Sequence, residues 1–150
     1  AVCNLASIAL PQMVNTQTNT FDFEKLHIVT KRVVKNLDKM IDVNYYPLNK
    51  AKLSNECHRP IGVGVQGLAD VFALCSIPFE SMEARVLNKH IFECMYYASL
   101  EASVELSQKL GAYKSFNGSP ASQGLLQHDL WTLEKRVDKL ELRLLVADYC

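Results

Sequence analysis

The stretch HRPIGVGVQGLAD, residues 58–70, decides the fold of this chain. Its three glycines are spaced as GxGxxG, and apolar residues at helical spacing follow them as far as Cys75. A dinucleotide site of this type needs a strand before the glycines and a helix after them, then a second strand with an acidic residue. Neither strand is evident here. We therefore expect the glycines to allow close backbone packing or positive φ angles, with a nicotinamide site as a weak alternative.

Two long helices are predicted on either side of this stretch. The first spans residues 23–43, because Asp22 can act as its N-cap and an apolar stripe recurs at helical spacing. The second begins after Ser81 and ends near Leu110, since Gly111 stands where a helix C′ residue is expected. The basic residues of the first helix lie mostly off its stripe, which predicts a solvated face. The stripe consists of Leu26, Val29, Val33, Leu37, Met40 and Ile41.

A strand is predicted at the start of the chain, over residues 2–10. It is apolar on both faces, which is typical of a sheet covered on both sides, as in α/β proteins. Residues 15–20 are polar and predict a loop. Residues 44–60 are predicted to be irregular, because Pro47 and Pro60 act as breakers. The pattern as a whole predicts an α/β protein that is rich in helix.

Composition excludes several classes of protein. The chain has 150 residues, of which 49% are hydrophobic and 21% charged, as in one ordinary globular domain. Its 16 basic and 16 acidic residues cancel, which gives no electrostatic case for binding nucleic acid or an anionic membrane. No apolar run approaches the ~20 residues of a membrane span. The first residues lack the basic region of a signal peptide, so we expect the chain to begin within a longer protein.

The five cysteines are too few and too scattered for a secreted disulfide framework, which predicts a reducing, cytoplasmic setting. Buried packing is the usual role of such thiols. Cys3 differs because it lies in the predicted strand, but redox work would also require access and a partner thiol. The pair Cys57 and His58 lacks the compact ligand spacing of a zinc site, so no metal site is predicted. The tyrosine pairs at 45–46 and 96–97 favour core roles.

The last segment, residues 132–150, changes character. Its apolar residues recur at intervals of four, three and four, as in the seam of a coiled coil. A helix this short is only marginally stable in isolation. The seam consists of Leu133, Val137, Leu140 and Leu144.

Three stretches together resemble one family. AVCNLAS (residues 1–7), NYYP (residues 44–47) and the glycine-containing stretch (residues 58–70) occur in the order found in the large, catalytic subunit of eukaryotic-type class I ribonucleotide reductases. The resemblance implies that residues 1–131 are an internal part of a ten-stranded α/β barrel. It stops there, so residues 132–150 are expected to be a divergent helical tail.

The resemblance also implies a chemistry. These enzymes reduce ribonucleoside diphosphates through a thiyl radical, and a cysteine pair becomes a disulfide. Cys3 matches one member of that pair, and it is the only chemical residue of the family that carries over. The implied partners are the small subunit with its di-iron tyrosyl radical, thioredoxin or glutaredoxin, and a second large subunit. ATP and deoxynucleotides are the implied effectors, and no cofactor or metal is expected in this segment.

Two expectations follow about the isolated chain. The radical cysteine, the partner of Cys3 and the phosphate-binding loop all fall outside this sequence, so the chain alone is expected to be inactive. The alternative is a non-catalytic helical interaction protein that associates through the leucine seam of residues 133–144.

Overall fold

Two parallel strands and two long helices pack around one apolar core in the computed structural model, which describes residues 2–130 apart from the side chains of His128 and Leu130. The predicted tail, its leucine seam and Cys150 lie outside these described residues. The strands are β1 (Asn4–Ala9), β2 (Val14–Asn15), β3 (Thr20–Phe21) and β4 (Ile61–Gln66). The α-helices are α1 (Phe23–Val43), α2 (Asn49–His58), α3 (Leu68–Leu74) and α4 (Met82–Leu110). Short 3₁₀ segments are Leu10–Met13, Ala121–Gln123 and Gln127–Leu130.

The two long helices confirm the predictions made from their caps. The Asp22 carboxylate accepts a hydrogen bond from the Lys25 amide at 2.8 Å, and the Ser81 hydroxyl accepts one from the Ala84 amide at 3.1 Å. Each bond satisfies a backbone donor that the first turn of a helix leaves free. At the other end of α4, Gly111 has a φ of +83° and its amide donates to Ser107.

The apolar stripe of α1 was only partly right. Leu26, Leu37 and Ile41 are buried as expected, but Thr30 and Val34 are buried with them. The predicted stripe member Met40 is 46% exposed, because α4 and β1 cover a line of the helix that passes to one side of it. Tertiary packing therefore buries only one edge of a broader apolar surface on α1.

Two segments predicted as irregular contain regular structure. Residues 44–60 include α2, because Pro47 precedes the helix and Pro60 follows its end, so that both prolines bracket it instead of breaking it. Residues 15–20 form a small antiparallel hairpin in which Asn15 pairs with Thr20. The Asn15 side chain accepts hydrogen bonds from the amides of residues 17 and 18, a local arrangement that asparagine favours in turns.

The basic face of α1 is not simply solvated, which corrects the prediction. Lys31 lies 2.6 Å from Glu105 on α4 and 3.0 Å from Glu101, and Lys35 also contacts Glu105. His27 Nε2 lies 2.7 Å from Glu101 Oε2, but the two atoms do not form a directed hydrogen bond. These ionic contacts connect α1 to α4 beside their shared apolar core.

We expect the change Glu105→Gln to make the stability of the fold less dependent on pH. The hydrogen bond from Lys31, and then that from Lys35, lowers the pKa of Glu105 from 4.5 to about 2. Because the folded pKa lies below the unfolded value, this carboxylate stabilises the fold above pH 4.5, and its contribution is lost as the pH falls to about 2. Thermal unfolding midpoints over this window, measured by circular dichroism, should fall more steeply for the wild type than for the variant.

The matched control is Glu80→Gln, which removes the same charge at an exposed position outside the helices. It should keep the wild-type slope. Parallel slopes for the wild type and Glu105→Gln would show that the contacts with Lys31 and Lys35 do not stabilise the fold.

None of the helices within the described residues is both long enough and apolar enough to cross a bilayer.

Candidate functional site

The parallel pair of β1 and β4 has one covered face and one bare face. Asn4 is paired with Ile61 and the register continues to Ala9 and Gln66, so that paired residues share a face. Ile8 on one strand and the two valines of the other belong to the core that α1 covers. The opposite face is not covered by any described residue to the same degree, since Leu5 is 74% exposed. We call this opposite face the glycine face; it comprises Cys3, Leu5, Ser7, Gly62 and Gly64.

A bare face is unusual for a parallel sheet, whose two faces are normally both buried. The prediction of a sheet covered on both sides is thus met on one side only within residues 2–130. Apart from the exposed Leu5, the uncovered side carries small residues and a thiol, where a face packed against a helix would carry large aliphatic side chains. Its chemistry suits contact with a ligand or with further parts of a larger protein.

The glycines of β4 keep this face open next to Cys3. A Cβ atom placed on Gly62 would lie 2.6 Å from Leu5 Cδ2 and 3.5 Å from Cys3 Sγ. A Cβ on Gly64 would lie 3.5 Å from Ser7 Oγ, an ordinary contact. Gly62 therefore leaves the Cys3 thiol uncovered on the side of the neighbouring strand.

The third glycine allows a positive φ angle and close backbone packing, as expected. Gly67 has a φ of +77°, and a Cβ there would come within 2.6 Å of Pro11. Gly62 and Gly64 lie inside a strand that leads into α3 and α4, and no second strand follows in the described residues. The arrangement required of a nicotinamide site is therefore missing.

Cys3 is the exposed thiol of the glycine face, and the other described cysteines lie in more protected places. Cys57, Cys75 and Cys94 are half-buried, and all four are free thiols. Burial raises the pKa of the Cys75 and Cys94 thiols, which disfavours the reactive thiolate. The Cys94 thiol donates to the carbonyl of Phe23 at 3.5 Å, as a packed core thiol does.

The core role predicted for the tyrosine pairs is wrong for Tyr45, which is 84% exposed, whereas the other three tyrosines are half-buried. The Tyr46 hydroxyl donates to the Ile41 carbonyl at 3.0 Å, and Tyr45 is exposed. The Tyr96 hydroxyl accepts from the Gln127 amide at 3.2 Å, and burial raises its pKa. Within residues 2–130, no three His, Cys, Asp or Glu side chains are placed to hold a metal ion together.

Arg59 makes several structural contacts, although it was not singled out from the sequence. Its Nε donates to Asp38 at 2.6 Å, and its two terminal nitrogens donate to Asp42 at 2.9 Å each. These bonds, first with Asp42 and then with Asp38, hold the pKa of Arg59 above its ordinary value. The forked guanidinium thus fastens the start of β4 to α1. Only the helical spacing of the two aspartates, four apart, could have signalled a shared partner.

Asn55 was also missed, because it lies in the segment predicted as irregular. It is fully buried on α2, and both ends of its carboxamide bond to the backbone of Val2. Recognition of α2 would have placed Asn55 on an inward face, but its contact with Val2 depends on the tertiary fold.

Comparison with known proteins identifies the family. Residues 1–149 match the family model described as the barrel domain of ribonucleotide reductase. The chain belongs to this ribonucleotide reductase family. It is 60% identical over 131 residues to the ribonucleoside-diphosphate reductase large subunits of Plasmodium falciparum and Danio rerio. It is 56% identical over 135 residues to large chain 2 of Saccharomyces cerevisiae.

These alignments cover 87% of the chain but only 16% of each relative. The reductase resemblance and the assignment to its α/β barrel are thereby confirmed, and the non-catalytic alternative is not favoured. The pairwise matches to the first relatives cover 131 residues, whereas the family match continues to residue 149. A division of the reductase segment at residue 131 and the redox role of Cys3 both stay predictions.

Proposed function

We propose that this reductase segment forms one wall of the active site in a ribonucleoside-diphosphate reductase large subunit. The observation that carries the proposal is the position of Cys3 on the glycine face. It is an exposed thiol directly before the parallel strand β1, and the neighbouring strand places Gly62, which has no side chain, beside it. Because Gly62 has no side chain, a substrate or a second thiol can approach Cys3 from the side of β4.

The reaction would reduce a ribonucleoside diphosphate at C2′. A thiyl radical elsewhere in the barrel would remove the ribose 3′ hydrogen, after which the C2′ hydroxyl would take up a proton and leave as water and C2′ would gain a hydrogen. The abstracted hydrogen would then return to C3′, which regenerates the thiyl radical. Cys3 and a second thiol give up two electrons and two protons and become one disulfide. Thioredoxin or glutaredoxin then reduces this disulfide by thiol exchange, which requires an accessible sulfur.

The partners follow from the same proposal. The thiyl radical would originate at a tyrosyl radical of a di-iron small subunit, and a second large subunit would complete a homodimer. ATP and deoxynucleotides would act as effectors outside this segment. The protein would work in the cytoplasm, where free thiols such as those of this chain persist.

A chimera tests the proposal. Residues 1–131 replace the aligned segment of the Danio rerio large subunit, to which they are 60% identical over 131 residues. The chimera, reconstituted with the small subunit, should form deoxynucleotide within about tenfold of the parent rate, because 60% of the exchanged residues are unchanged and substitutions at distant sites act independently. A folded chimera that binds effector but forms no deoxynucleotide would contradict the proposal.

A further inference from the structure

The backbone just before Cys3 is held by a side chain instead of by the sheet. Asn55 Oδ1 accepts a hydrogen bond from the Val2 amide at 2.9 Å, and Asn55 Nδ2 donates one to the Val2 carbonyl at 2.5 Å. A neighbouring strand offers an acceptor and a donor to a residue in the same way. The carboxamide of Asn55 thus extends the hydrogen bonding of β1 beyond its first ladder residue.

β4 cannot supply these bonds itself. The register pairs Asn4 with Ile61. The position opposite Cys3 therefore falls on Pro60, which has no backbone N–H to donate. Arg59 is the C-cap of α2 and has a φ of +45°, so the chain before Pro60 belongs to the end of that helix and not to the ladder. The ladder between β1 and β4 therefore does not extend to Cys3. The buried side chain of Asn55 makes the backbone hydrogen bonds there in place of β4.

A second residue fixes the orientation of Asn55. The Tyr46 hydroxyl accepts a hydrogen bond from Asn55 Nδ2 at 3.2 Å and donates one to the Ile41 carbonyl at 3.0 Å. Ile41 is buried in the last turns of α1, at 1% exposure. A continuous path of hydrogen bonds therefore links α1 to the backbone of Val2. A buried polar network of this kind, with its members bonded to one another, holds a single geometry.

We propose that Asn55 and Tyr46 are positioning residues for the Cys3 thiol. They need not touch the substrate, because they act on the backbone from which Cys3 projects. This inference rests on the proposed function, in which Cys3 is half of a redox pair. A disulfide forms only when the two Cα atoms lie within a narrow range of separation. A displacement of about 1 Å at a reacting group can cost about 100-fold in rate.

The test uses the full-length large subunit that carries this segment, reconstituted with its small subunit, effector and thioredoxin. Asn55→Ala should lower kcat about 100-fold. KM for the ribonucleoside diphosphate should change less than about twofold, because the loss falls on the reacting groups and not on substrate binding. After one turnover of the reduced enzyme, mass spectrometry should find a matching loss of the disulfide that contains Cys3.

Two further variants complete the design. Tyr46→Phe removes only the hydroxyl that supports Asn55, and should lower kcat about fivefold, as expected for the loss of one neutral hydrogen bond. Asn49→Ala makes the same change as Asn55→Ala on the same helix, but at an exposed position, and should leave kcat unchanged.

Each outcome decides the proposal. A wild-type kcat in Asn55→Ala would overturn it, and so would a kcat that falls only with the folded fraction while disulfide per folded enzyme stays normal. If Asn55→Ala does not fold, Tyr46→Phe decides, and a wild-type kcat there overturns the proposal. An inactive wild-type subunit would instead refute the proposed function.

Discussion

Cys3→Ser in the full-length subunit is expected to abolish repeated formation of deoxynucleotide with thioredoxin as reductant. A serine hydroxyl cannot enter a disulfide, so the two electrons needed at C2′ have no source in the barrel. Substrate and effector binding should survive, because Cys3 is exposed and its replacement by serine changes the side chain by one atom. The measurement is deoxynucleotide formed per enzyme over many turnovers.

The control is Cys57→Ser, which makes the same change at a half-buried thiol on α2. It should keep turnover close to wild type. Normal turnover of Cys3→Ser would refute the redox assignment of Cys3, whatever the fate of the control.

Gly62→Val should close the glycine face over Cys3 without unfolding the sheet. Valine suits a strand, so the ladder between β1 and β4 should persist. Its Cβ alone would contact Cys3 Sγ at 3.5 Å and displace the exposed side chain of Leu5, and its two methyl groups extend further across the thiol. We expect turnover to fall about 100-fold, as for a reacting group that is blocked or moved by about 1 Å. The rate at which iodoacetamide alkylates Cys3 should fall in parallel.

Two smaller substitutions serve as comparisons for Gly62→Val. Gly62→Ala should give an intermediate loss, because it adds the contact with Cys3 without the two further methyl groups. In Gly64→Ala the new Cβ would meet Ser7 Oγ at an ordinary 3.5 Å and would not come within 4 Å of Cys3, so turnover should stay near wild type. Full turnover and unchanged alkylation in Gly62→Val would show that this glycine does not shape the site.

Local signals were sufficient for the long helices. The side chains of Asp22 and Ser81 bond within one turn of their own positions, so the sequence alone specifies where α1 and α4 begin. α2 lacks such signals, since its N-cap is Leu48 and makes no side-chain bond. Its helix is stabilised by distant contacts, above all those of Asn55 with Val2. Periodicity could not reveal contacts between residues so far apart.

The candidate site divides in the same way. Resemblance to the reductases was enough to select Cys3, because the match was residue by residue. The importance of Gly62 and Asn55 could not be read from the chain, because each acts on a residue more than fifty positions earlier. The charges on α1 were misjudged for a related reason, since the partner of Lys31 lies on α4.

The pairing of Asn4 with Ile61 has a consequence for the order in which the molecule folds. The parallel ladder closes a loop that contains all of α1 and α2, and closure of a long loop costs entropy before any ladder contact forms. Helices form within about a microsecond, whereas non-local strand pairing is slower. During synthesis on the ribosome, β1 cannot pair with β4 until β4 has emerged. The backbone beside Cys3 is therefore expected to take its place against β4 only after α1 and α2 have formed.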